Sequence, residues 1–74
     1  MRGVKYNCTF QNRDGTSTLM KDYKMVDLLS KLEELLEKNY GINDRLSNQV
    51  IYNLQFRPSN ASRLMRLFVK VERA

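Results

Sequence analysis

From Val4 to Gln11 the chain alternates, with Val4, Tyr6, Cys8 and Phe10 set against Lys5, Asn7, Thr9 and Gln11. Successive side chains on a strand point to opposite faces, so this spacing predicts a strand with one buried face. Asn12-Arg13-Asp14-Gly15 follows. Asp-Gly between two extended runs signals a hairpin, and Thr16 to about Tyr23 is the expected return strand. Leu19 and Met20 interrupt its alternation. Met25, Leu28, Leu29, Leu32, Leu35 and Leu36 then recur at three- and four-residue spacing, with Asp27, Lys31, Glu33, Glu34, Glu37 and Lys38 between them. That period predicts an amphipathic helix from about Lys24 to Asn39, closed by Gly41 as its left-handed terminal residue. The leucine repeat covers about two heptads, fewer than a coiled coil needs, so the stripe is expected to cover one face of the sheet.

After a polar connection from Ile42 to Leu46, Ser47 is placed to cap a second helix from Asn48 to about Phe56. Leu46 and Ile51 occupy the positions of a hydrophobic staple, and Val50, Ile51 and Leu54 form the inward stripe. Pro58 disfavours helical geometry at Arg57 and ends the helix there. Ser59 to Ser62 reads as a polar loop. From about Leu64 the pattern predicts a last strand, with Leu67, Val69 and Val71 facing inward and Arg66, Phe68, Lys70 and Glu72 facing out. The expected order is ββααβ, an α+β fold in which a three-stranded antiparallel sheet carries a two-helix layer on one face.

With 74 residues and 42% hydrophobic content, the chain suits one compact domain over residues 1–74. It has one cysteine and no histidine, so neither an intrachain disulfide nor a zinc set can be assembled. No metal or cofactor is expected. Cys8, on the buried face of the first strand, is expected to be a core thiol. No signal-peptide core and no apolar run near the roughly 20 residues of a membrane span is present, so the expectation is a soluble protein of the reducing cytoplasm. General acid–base catalysis lacks its usual histidine, the acids cluster on the exposed side of the first helix, and Gly3, Gly15 and Gly41 are too isolated for a phosphate-binding loop. A non-enzymatic protein is expected.

Charge changes the picture more than composition does. Residues 1–44 hold seven Lys/Arg and seven Asp/Glu, whereas residues 45–74 hold Arg45, Arg57, Arg63, Arg66, Lys70 and Arg73 against Glu72 alone. The entire formal charge of +5 therefore belongs to the second part. Five of its six cations are Arg, whose planar fork suits paired contacts to phosphate, carboxylate or a guanine edge. On the second helix, turning Val50, Ile51 and Leu54 inward leaves Asn48, Gln49, Tyr52, Asn53 and Gln55 outside, between Arg45 and Arg57. Asn and Gln can read adenine and Arg guanine, while flanking cations hold phosphates. The same amides also serve as ordinary surface residues.

Residues 35–54, running from Leu35-Leu36-Glu37-Lys38-Asn39-Tyr40-Gly41-Ile42 to Leu46-Ser47-Asn48-Gln49-Val50-Ile51-Tyr52-Asn53-Leu54, resemble a helix-turn-helix segment. The resemblance implies that Asn48, Gln49, Tyr52 and Asn53 face bases. Its connection of six residues after Gly41 is longer than the usual three or four, and Glu37 stands where that motif prefers a small residue.

The final segment offers a second surface. Arg57, Arg63, Arg66, Lys70 and Arg73 line the predicted loop and strand, with Phe68 outward as a stacking platform for single-stranded nucleic acid. A solvated edge strand protected by its charges is the plainer alternative. In size and composition the chain is similar to phage-encoded accessory proteins, anti-CRISPR inhibitors among them. Three readings follow: a nucleic-acid-binding protein using the second helix and the Arg-rich segment; a phage-type inhibitor docking an acidic or nucleoprotein partner; and a structural homodimer packed through Leu28, Leu32 and Leu35. DNA or RNA, single or double strand, and monomer or homodimer remain open among them.

Overall fold

A hairpin comes first in the computed structural model, which describes residues 3–74. Strands β1 (Lys5–Gln11) and β2 (Ser17–Lys24) pair antiparallel, and strand β3 (Val69–Arg73) pairs antiparallel with the other edge of β1, giving the order β2-β1-β3. The hairpin turn forms as the Asp-Gly signal predicts. The Asn12 carbonyl accepts the Gly15 amide at 3.1 Å and the Asn12 amide donates to the Thr16 carbonyl at 2.7 Å. Gly15 sits at φ 94°, a conformation that a residue without Cβ adopts freely. The Thr16 hydroxyl at 2.6 Å and the Thr16 amide at 2.9 Å donate to the Asp14 carboxylate and hold its pKa below the ordinary range.

The irregular alternation of the return strand has a backbone cause. Between the Cys8–Met20 and Tyr6–Tyr23 pairs, β2 places Lys21 and Asp22 opposite Asn7 alone. Asp22 takes up the extra residue at φ 57° and donates its amide to the Asn7 side-chain oxygen at 3.0 Å. Met20 is thereby buried, while Leu19 is left on the open face.

Helix α1 (Met25–Tyr40) turns Leu28, Leu32, Leu35 and Leu36 into the core against β1 and β2. The Gly41 amide donates to the Glu37 carbonyl at 2.9 Å and the Ile42 amide to the Leu36 carbonyl at 3.3 Å, with Gly41 at φ 69°. This is the double-bonded left-handed terminus expected of a glycine at that place. The leucine stripe is consumed inside the chain, since Leu28 and Leu32 are 0% exposed and Leu35 is 6% exposed. Leu28, Leu32 and Leu35 thus pack within the chain's own core.

Helix α2 (Asn48–Phe56) packs against β3 and the single 3₁₀ turn at Pro58–Asn60. Ser47 holds the cap position and its carbonyl accepts the Val50 amide at 3.0 Å, but its hydroxyl makes no capping bond. Leu46 and Val50 pack against the core that contains Ile51.

The segment before β3 departs from expectation. Residues 64–68 are not extended: they lie in a short helix, α3 (Arg63–Phe68). Ser62 starts it, its hydroxyl accepting the Met65 amide at 3.2 Å and its carbonyl accepting the Arg66 amide at 3.0 Å. Helical spacing buries Met65 and turns Leu67 outward, 61% exposed, reversing the inward placement that a strand gave it. Phe68 is half-buried against the Tyr40 ring at a centroid distance of 4.9 Å. The α+β class and the three-stranded antiparallel sheet stand, with α3 inserted before the last strand.

Cys8 is a core residue, and burial pushes its thiol up to about 12, which keeps it un-ionised and inert at neutral pH. No helix among the described residues is long and apolar enough to cross a membrane.

Candidate nucleic-acid interface

All six cations of the second part, Arg45, Arg57, Arg63, Arg66, Lys70 and Arg73, are exposed. None of them forms an ion pair among the described residues, where the sole pair joins Lys31 to Glu34 on α1 at 3.8 Å. The acids of α1 are thus not spent on neutralising the basic segment. Four of the cations follow one another along the chain on consecutive elements. Arg57 ends α2, Arg63 and Arg66 lie three residues apart on α3 and so share a helix side, and Arg66 and Lys70 line the same groove. Arg45 stands apart in the connection before α2, and Arg73 lies at the far end of β3 beside Lys5.

On α2 the predicted base-reading set divides. Asn48, Gln49 and Tyr52 are exposed. Asn53 is half-buried, accepts the Gln49 side-chain amide at 3.1 Å, and lines a cavity of about 240 Å³ together with Leu36, Ile42, Val50 and Met65. Asn53 is therefore less open to a ligand than Asn48 and Gln49. Gln55 is half-buried as well.

The helix-turn-helix geometry is not made. Residues 42–47 run without regular structure between the helices, α1 lies over β1 and β2, and α2 lies over β3. The Leu46 amide is held by the Glu33 carboxylate at 2.9 Å, which fixes the long connection against α1 in place of a tight corner. Glu37, at the place of the motif's small residue, is exposed.

Phe68 is half-buried, with one side of its ring against Tyr40 at a centroid distance of 4.9 Å, and it lines the groove beside β3. The exposed aromatic surface is elsewhere. Tyr52 and Phe56, 45% and 61% exposed, lie one helical turn apart with ring centroids 5.2 Å and planes 52° apart. Phe56 was not among the residues that sequence reasoning selected, although counting four residues on from Tyr52 places it on the same side of α2. A two-residue period over its segment places Leu67 inward and hides it. The spacing of Leu64, Met65 and Phe68 behind the capping Ser62 carries the helical signal that locates it.

Compared with protein-family models, curated proteins and solved structures, the chain matches none of them.

Proposed function

We propose that this is a non-enzymatic nucleic-acid-binding protein that holds the phosphate backbone with Arg57, Arg63, Arg66 and Lys70 and offers Tyr52 and Phe56 to bases. The observation that carries the reading is the run of four exposed cations without carboxylate partners, adjoining two solvent-facing rings on α2. Unpaired guanidinium groups lose little on meeting phosphate, and counterions released from the nucleic acid supply the driving force. Rings that already stand in solvent can stack on any base, so single-stranded segments are the favoured target over a duplex groove. Asn48 and Gln49, at the start of α2, are the amides left to add base preference.

The test is a salt titration of binding to a random single strand. Log affinity falls linearly with log salt, with a slope of roughly −2 to −3 if three or four phosphates are engaged. Arg63→Ala combined with Arg66→Ala flattens that slope by about 1.4 and weakens binding on the order of ten-fold at moderate salt. Unchanged binding in the double variant removes the proposal. A second reading, an inhibitor docking an acidic or nucleoprotein partner, draws on the exposure of Tyr52, Phe56 and Leu67, which protein interfaces favour. It is distinguished by the absence of salt-dependent binding to free nucleic acid.

A further inference from the structure

Strand β3 is an outer strand, bordered by an open groove of about 580 Å³ that is lined by Leu54, Pro58, Leu67 and Lys70 and reaches Thr9 and Gln11 on the open face of the sheet. The register tells which backbone groups of β3 are left on its outer edge. Tyr6 lies opposite Arg73 and Asn7 opposite Glu72, so Lys5 lies opposite Ala74, whose amide donates to the Lys5 carbonyl at 3.0 Å. Bonded and non-bonded pairs alternate in an antiparallel ladder, which makes Glu72 and Lys70 the residues bonded to β1. The other side of β1 has the matching phase: the Asn12 amide bonds the opposite Thr16, so even-numbered β1 residues serve β2 and odd-numbered ones serve β3. Val71 and Arg73 therefore point their amides and carbonyls away from β1, as Val69 does its carbonyl. The Val69 amide is already bonded to the Met65 carbonyl.

We propose that this edge pairs with the β3 strand of a second copy of the chain, antiparallel about a twofold axis at Val71. Val71 then exchanges two backbone bonds with its own counterpart, and each Arg73 amide donates to the other copy's Val69 carbonyl. The same register sets Lys70 opposite Glu72 twice, on the open face of the sheet and in the non-bonded pairs where facing side chains are closest. Glu72 is the one acid among residues 45–74 and has no ion-pair partner within the chain among the described residues. Charge selects this register over its neighbours. Pairing centred on Glu72 makes as many backbone bonds but sets Glu72 against its own counterpart, and pairing centred on Lys70 makes half as many, because the Val69 amide is taken, and sets Lys70 against Lys70.

The opposite edge of the sheet does not offer the same surface, because the bulge at Lys21 and Asp22 interrupts β2. Pairing through β3 gives a six-stranded sheet with the helices of both copies on one side, and brings the second strand alongside exposed Leu67 in the groove.

Sedimentation of nucleic-acid-free protein from about 10 μM to about 1 mM tests the pairing, a range that captures weak association. The expected mass rises with concentration from 8.8 kDa toward twice that value. Lys70→Glu and Glu72→Lys each place like charges in both pairs, and each shifts the midpoint on the order of ten-fold higher in concentration. Mixed in equal amounts, the two variants restore opposite charges in both pairs and associate again. Both changes are on exposed positions, so circular dichroism should match the unaltered protein. A mass that stays at 8.8 kDa throughout, equal association by all variants, or failure of the mixture to associate overturns the proposal.

Discussion

Residues 3–44 supply Cys8, Phe10, Met20, Leu28, Leu32, Leu35 and Leu36 to the buried core, seven of its ten side chains, while residues 45–74 supply only Ile51, Met65 and Val69. The first region turns most of its apolar residues inward, leaving Leu19 and Val26 exposed, and over residues 1–44 its charges balance. The second is made of short elements, carries all the net charge, and leaves Tyr52, Phe56 and Leu67 in solvent. The contrast separates two demands on a small chain. A helix of sixteen residues together with the hairpin it lies on supplies most of the core, whereas elements of five to nine residues each add one side chain to it and present their remaining surface to solvent.

Substitutions that fall on one side of this divide sharpen it. Leu32→Ala, at a fully buried position, lowers unfolding free energy by about 2–5 kcal/mol, read from urea denaturation. Under conditions where that variant remains folded, its affinity for a single strand equals that of the parent. A matched loss of affinity breaks the division into core and surface. Phe56→Ala, on the other side, removes about 1–3 kcal/mol of single-strand binding by loss of stacking, measured by fluorescence titration, with little change in the urea midpoint. If instead the variant unfolds readily and binds normally, Phe56 belongs with the core. The smallest effect concerns the two caps. Ser62→Ala costs about 1 kcal/mol of stability, because its hydroxyl holds the Met65 amide, and Ser47→Ala costs far less, because its hydroxyl caps nothing. Equal losses at both positions contradict the hydrogen bonding described for the two helix starts.

The pairing of Asn12 and Asn39 shows how the regions of the first part lock together. The Asn39 side chain donates to the Asn12 side chain at 3.2 Å and accepts the Arg13 amide at 2.9 Å, tying the end of α1 to the hairpin turn. Tyr40 adds a hydroxyl bond to the Gln11 carbonyl at 3.2 Å while stacking on Phe68. Nothing in local spacing points to these contacts. They join residues more than twenty positions apart, and they explain why Phe68 is half-buried where Arg66 and Leu67 are exposed.

Periodicity by itself determined β1, the Asp-Gly turn, the long helix with its glycine terminus, the bounds of α2, and the basic imbalance of the last thirty residues. Each of these is a local preference repeated over enough residues that packing had only to agree with it. Tertiary structure decided the rest. Residues 63–68 fit two periods equally well over so short a stretch, and the Ser62 cap together with a place in the core for Met65 settled them as a helix. The same choice sent Leu67 to solvent and Phe68 to Tyr40, and the route of residues 42–47 laid α2 on β3, which left Asn53 half-buried and Phe56 exposed. Which face a short element shows depends on the neighbour it meets, and that neighbour is chosen by the fold as a whole.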